Sequence, residues 1–308
     1  MQETLLKEKT ASVDGLLLVD KPAGISSHDV VAVARRALGE KRIGHAGTLD
    51  PFATGLLVLL VGRATRLAPY LPAEPKEYEA LVRFGAETNT EDADGDVSRE
   101  AGLPTPEALD AARAAFVGTI AQVPPAFSAK HVDGQRAYKL ARRGEAVALA
   151  PVQVTIHSLK LSALERMPDG TVASCRMQVS CGGGTYIRSL ARDLARAAGT
   201  AAHLETLRRH RAGVFTLARS IPYERMRDNS APVSIAPPMD VLEGMPMQVI
   251  DAAELSGVLH GADLAARVPG THAALIDADG GGSLVAVAQR VSSETGDRWQ
   301  PRVVMRDA

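Results

Sequence analysis

Residues 44–57 read Gly44-His45-Ala46-Gly47-Thr48-Leu49-Asp50-Pro51-Phe52-Ala53-Thr54-Gly55-Leu56-Leu57. Glycines 44 and 47 let the backbone approach a ligand or another chain segment, and Pro51 rigidifies the far side. Asp50 therefore projects from a fixed loop. The loop runs directly into Leu56–Val61, a six-residue apolar run that reads as a buried strand. An ionised carboxylate so placed can act as nucleophile or general base. Asp before Pro is also ordinary turn chemistry, and the loop alone leaves both readings open.

Upstream, Gly15–Val19 is a short apolar strand that leaves into the turn Asp20-Lys21-Pro22-Ala23-Gly24. Lys21 there can touch a phosphate or point to water. Ser26 or Ser27 caps a helix that runs to Leu38 and stops at Gly39. Downstream, Arg63–Leu71 reads as a short helix. From Tyr78 the side chains alternate, with Tyr78, Ala80, Val82 and Phe84 apolar, which predicts a half-buried strand. Thr88–Gly95 is acidic, too short for an EF-hand, and expected at the surface. Pro106–Val117 is helical, and a basic stretch from Lys130 to Arg143 follows Pro124-Pro125. Val172–Cys181 alternates as a strand that turns both cysteines inward. Gly182-Gly183-Gly184 then opens a helix to Ala198, on which Arg188, Arg192 and Arg196 form a basic ridge. The three glycines could hold an anion through free N–H groups, although nucleotide-loop spacing is missing.

These elements predict an α+β fold with a central mixed, largely antiparallel sheet flanked by helices. Residues 1–13 are read as a loose tail, 14–225 as the main domain, 226–247 as a connector, and 248–308 as a small β-rich domain. The length of 308 residues suits about two domains. A formal net charge of −1 argues against a nucleic-acid binder. Sorting by segment reverses that: residues 122–219 carry +9, against −7 on 71–121. A local basic block can still face a polyanion. Two cysteines are too few for a disulfide framework or a zinc site, and no apolar signal core or bilayer-length run occurs. A soluble, cytoplasmic protein is expected. Gly-x-Ser-x-Gly and His-Glu-x-x-His are both absent.

The opening loop closely resembles the signature of the TruB family, the bacterial tRNA pseudouridine-55 synthases. The resemblance continues in order through Asp20–Ser27, Lys76-Glu77-Tyr78, Thr88–Gly95, Pro124–Lys130, Gly184–Arg188 and Ala202–Arg209, about residues 14–220. It implies that Asp50 is the catalytic aspartate, Tyr78 the tyrosine that stacks on the target uracil, and Arg188 the arginine paired with the aspartate. Tyr186 and Leu207 match pocket-lining positions, His45 a contact to flipped-out RNA, and Lys21 the pocket rim. Lys130, in the basic stretch, is a further candidate for RNA binding. Phe52 and Asn89 depart from the family's more usual Leu and Asp. The C-terminal region resembles a PUA-type RNA-binding domain more loosely.

The implied reaction is isomerisation of uridine to pseudouridine at position 55 in the tRNA T loop. It involves neither redox chemistry nor hydrolysis, so no cofactor and no metal are expected. The implied partner is the tRNA T stem-loop, bound by a monomer without membrane attachment. A non-catalytic RNA-binding protein or tRNA folding chaperone would use the same basic face. The same isomerisation on another RNA is a related alternative.

Overall fold

Four elements surround the opening loop: β1 (Gly15–Lys21), α1 (Ser27–Leu38), β2 (Ile43–Ala46) and β3 (Thr54–Val61). They belong to a computed structural model that describes residues 14–72, 74–128, 131–132, 135–136, 143, 149–228, 233–294 and 296–306. Every residue of Leu56–Val61 is buried, because β3 is covered on both faces. Leu57, Leu59 and Val61 share a core with Val30, Val31 and Ala34 of α1. Leu56, Val58 and Leu60 share another with Leu284, Val303 and Met305 near the C-terminus. Strands buried on both sides read as continuous apolar runs, and each buried Leu or Val contributes roughly 1.5–3 kcal/mol. At α1, Ser26 and Asp29 exchange side-chain-to-backbone hydrogen bonds as a capping box, and Gly39 ends the helix at φ 64°.

A 3-10 helix (Gly62–Tyr70) leads to β4 (Lys76–Phe84), then to the hairpin β5 (Ala86–Thr88) and β6 (Val97–Glu100). Next come α2 (Pro106–Ala114), β7 (Gly118–Gln122) and the small pair β8 (His131–Val132) and β9 (Gln135–Arg136). Then follow β10 (Val152–Arg166), β11 (Val172–Cys181), α3 (Ile187–Ala197) and β12 (Ala202–Ala212). β13 (Phe215–Thr216), β14 (Ile221–Pro222) and α4 (Tyr223–Arg227) complete this part.

The main sheet runs β14-β1-β3-β12-β4-β11-β10-β7, with β2 beside β3 and β13 beside β12. Its pairs are antiparallel except β1–β14 and β3–β12, so the expected mixed, largely antiparallel sheet is observed. On β4, Tyr78, Ala80, Val82 and Phe84 are buried beneath α3, as the alternation predicts. Cys175 and Cys181 are buried free thiols.

The expected β-rich region is a second sheet built on β15 (Met247–Ile250), α5 (Ala252–Leu259), β16 (Leu264–Ala265), β17 (His272–Asp277), β18 (Leu284–Ser293) and β19 (Gly296–Val304). Its strand order, β15-β17-β18-β19-β16, is consistent with a PUA-like domain. The chain between the two sheets packs closely: Ala236 exchanges backbone hydrogen bonds with Leu16, and Val241 and Leu242 are buried.

Candidate active site

The loop that carries Asp50 is clamped from three directions. From α1, the Ser27 hydroxyl donates to the Leu49 carbonyl at 3.0 Å and accepts from the Leu49 N–H at 2.9 Å. From the turn after β1, the Gly24 N–H donates to the Pro51 carbonyl, and Lys21 Nζ donates to the carbonyls of Pro22, Ile25 and Pro51. From β12, Arg209 donates to the carbonyls of Gly47 at 2.9 Å and Leu56 at 2.8 Å. Gly55, at φ 98°, lies so close to Arg209 that a Cβ would stand 2.3 Å from its carbonyl oxygen. Only glycine permits β3 and β12 to meet there.

Asp50 faces Arg188, with 2.9 Å between its carboxylate and Nη2. The guanidinium is 4% exposed and the carboxylate 35%, so one partner is fixed in the protein while the other remains reachable. Arg188 also donates to the carbonyls of Thr90 (2.6 Å) and Phe127 (3.0 Å), and lies 3.5 Å from Asp92. A planar guanidinium held at several points fixes the direction of the carboxylate it meets.

Tyr78 lies on the buried face of β4, close enough to feel the Asp50 charge. Burial pushes its phenol up from the ordinary value, and Arg209 opposes that. Tyr186 immediately precedes α3, and burial raises its phenol as well. Leu207, opposite Ala80, lies in a cleft of about 570 Å³ together with Phe52, Glu79 and Arg208. Asp50, Tyr78 and Arg188 do not line that cleft. His45 stands edge-on to His28, with ring centroids 6.0 Å apart. Burial first, then the charges of His28 and Arg209, lower its pKa. Lys130 lies outside the described residues.

Four expectations change. Lys21 is not on a rim: it is wholly enclosed, and its ammonium is used by three carbonyls. Residues 88–95 are a turn between β5 and β6 that is only partly at the surface: Asn89, Ala93 and Asp94 are exposed, while Thr88, Glu91 and Asp92 are buried. The ridge of α3 is not a free basic surface either. Arg192 is buried against Glu91, and Arg196 pairs with Glu87 at 2.5 Å. The acidic segment supplies the counter-charges that a buried guanidinium requires. The glycine triplet does take an anion, but an internal one: the Gly183 N–H donates to the Glu74 carboxylate at 2.7 Å.

The structure also brings in residues to which the motif reading gave no role. Arg209 staples the loop, Asp92 and Glu91 hold the arginines of α3, and Gln122 pairs with the Tyr186 backbone. Opposite charge on residues 71–121 and 122–219 was the available signal for the acid–arginine pairs. Arg209 needed the register that sets it opposite Tyr78, which composition does not reveal.

Residues 35–187 match the model of the TruB family pseudouridylate synthase N-terminal domain. The tRNA pseudouridine synthase B of Thermobifida fusca is 45% identical over 253 residues, covering 80% of this chain and 85% of that protein. That of Mycobacteroides abscessus is 42% identical over 297 residues, covering 96% and 97%. The chain belongs to the TruB family. Within the TruB model's span lie Asp50 and Tyr78, and Arg188 follows its last residue. The fold extends further: a chain of an H/ACA ribonucleoprotein bound to a substrate RNA containing 2'-deoxyuridine superposes with a TM-score of 0.67 at 23% identity, covering 95% of this chain and 85% of that one.

Among the described residues, no three His, Cys, Asp or Glu side chains are arranged to hold a metal ion. No described helix is long and apolar enough to cross a membrane.

Proposed function

We propose that this TruB-family chain isomerises uridine to pseudouridine in tRNA, at position 55 of the T loop, as a monomeric cytoplasmic enzyme. Residues 14–225 form the catalytic domain, 226–247 the connector and 248–308 the PUA-like domain. The observation that carries the reading is Asp50 itself: a reachable carboxylate on a triply clamped loop, 2.9 Å from a buried arginine.

The target base is stacked inside the T loop and must leave the stack, at a cost of a few kcal/mol. Tyr78 offers an aromatic face to the extruded uracil, with Tyr186 near Asp50 and Leu207 packed in the same core as Tyr78. His45 supports the displaced nucleotides. Asp50 then either attacks the substrate covalently or stabilises the detached intermediate while the N-glycosidic bond breaks. The uracil turns and its C5 bonds to the same sugar carbon; C5 then gives up its proton, and N1, freed from the sugar, takes one up. Arg188 keeps the carboxylate in one orientation through these steps, which is where preorganised electrostatics contribute most.

Incubating the purified protein with unmodified tRNA and mapping pseudouridine tests the reading; conversion is expected at position 55. Asp50→Asn is expected to reduce turnover by at least about 10³-fold while retaining most of the tRNA affinity. Wild-type protein that binds and refolds tRNA without converting any uridine would favour the chaperone role instead. An Asp50→Asn variant with near-normal turnover would exclude Asp50 as the reacting carboxylate.

A further inference from the structure

The helix that presents Arg188 has no cap of its own. Tyr186 occupies the N-cap position of α3 and makes no side-chain capping bond. The peptide groups there are instead gripped from another element. Gln122 ends β7, is 0% exposed, and lays its side-chain amide along Tyr186. Its Oε1 accepts from the Tyr186 N–H at 2.9 Å, and its Nε2 donates to the Tyr186 carbonyl at 3.1 Å. A side-chain amide that engages both polar groups of one residue fixes that residue in rotation as well as position, as a neighbouring strand would.

The chain after Gln122 adds two more grips on the same helix. The Val123 carbonyl accepts from Arg192 Nη2 at 3.0 Å, and the Phe127 carbonyl accepts from Arg188 Nη2 at 3.0 Å. Residues 122–127 thus run along α3 as a strap, and its first contact, at Gln122, is the one made through two hydrogen bonds. Arg188 lies two residues beyond Tyr186, and the Nη2 held by Phe127 is the nitrogen that meets Asp50. Arg188 is therefore set from both ends, its backbone by the helix head that Gln122 fixes and its guanidinium by the Thr90 and Phe127 carbonyls.

We propose that Gln122 is a positioning residue for the reaction, acting through Tyr186 and the head of α3 to hold Arg188 against Asp50. The inference rests on the isomerase reading given above. Gln122 touches no reacting atom, so its removal is expected to lower the rate of the chemical step rather than weaken RNA binding.

The test uses the full-length chain and a T-stem-loop RNA. Gln122→Met keeps the length of the side chain and removes both hydrogen bonds. It is expected to lower kcat by about 10- to 100-fold, the size of effect a small misplacement produces, with KM within about twofold of wild type. In an Arg188→Lys background the same substitution is expected to cost less than about threefold, because the route through which it acts is already broken. A helix-capping role without mechanistic consequence would lower stability and leave both kcat and this coupling unchanged. The proposal is overturned if folded Q122M retains kcat within twofold. Losses that multiply fully in the Arg188→Lys background, or that fall on KM alone, also overturn it. If Q122M does not unfold cooperatively, Gln122→Glu replaces it, keeping an acceptor for the Tyr186 N–H. Its kcat is expected between wild type and Arg188→Lys, and an unchanged kcat overturns the proposal. Failure of the wild type to convert the RNA would remove the isomerase reading itself, an outcome separate from failure of the Gln122 variants alone.

Discussion

Lys21 illustrates what a single side chain does at the site without meeting substrate. Its ammonium is enclosed and donates to the carbonyls of Pro22, Ile25 and Pro51, tying the turn after β1 to the residue that follows Asp50. Burial lowers its pKa to about 8, opposed by the charges of Asp50 and Asp29 and assisted by Arg209. In the unfolded chain the group titrates near the ordinary lysine value of 10.5. Between about pH 8 and 10.5 the unfolded state therefore binds a proton that the folded state has released, and stability rises with pH through that window. Lys21→Met abolishes this titration and takes one donor from each of three carbonyls, of which Pro51 keeps the Gly24 N–H. The variant is expected to be less stable at every pH. The deficit should be flat below pH 8, then widen by up to roughly 3 kcal/mol as pH approaches 10. Urea unfolding of both proteins from pH 7 to 10 checks this, and a constant difference would refute it.

At the scale of elements, local chemistry was legible and pairing between distant segments was not. The capping box Ser26/Asp29, the stop at Gly39 and the alternation along β4 and β11 each lie within one short stretch, so the residues announce the element directly. The segment 88–95 and the arginines of α3 misled because a charge has no visible partner in sequence. Glu91 and Arg192 are separated by 101 positions, and each read alone looks solvated. Together they are buried, with Ser189 donating to the other Glu91 oxygen at 2.9 Å. Arg192 is held by Asp193 and Glu91, whereas desolvation at Glu91 raises its pKa against the pull of Arg192. Losing Glu91 leaves the buried Arg192 with Asp193 as its one remaining carboxylate, while replacing both Glu91 and Arg192 removes the desolvation cost as well. Glu91→Met is expected to destabilise the fold by about 3–5 kcal/mol, and adding Arg192→Met should restore much of that loss. Denaturant unfolding of the two single variants and the double measures the coupling. Purely additive losses would show that the charges are independently solvated.

Across the whole molecule, the contrast between β3 and β4 carries information about what lies behind the sheet. β4 alternates because one face meets α3 while Glu77, Glu79 and Arg83 lie on the other. β3 is apolar throughout because its second face needs a cover: the 3-10 helix Gly62–Tyr70 and the segment with Val241 and Leu242 lie against it, and the C-terminal sheet joins the same core. Leu16, Leu18, Leu56, Val58 and Leu60 share one core with Ala274, Leu284, Val287, Val303 and Met305. Arg63 and Arg66 pin the end of the chain by donating to the carbonyls of Met305 and Val304 at 2.7 and 2.8 Å. Compositional reading marks residues 248–308 as a separate unit, yet it gives no hint that β3 depends on them. A core shared in this way couples the unfolding of both sheets, unlike the smaller and more polar contacts typical between independent domains. Thermal unfolding of the full chain is therefore expected to show one cooperative transition, not two. Leu284→Ala, which removes a C-terminal side chain from that core, should destabilise the fold by about 2–5 kcal/mol and lower the melting of both sheets together. A chain ending at Met247 would strip Ala274, Leu284, Val287, Val303 and Met305 from that core and is expected to aggregate. Calorimetry with two resolved transitions, or a soluble truncated chain that melts like the intact protein, would show that the main sheet stands alone.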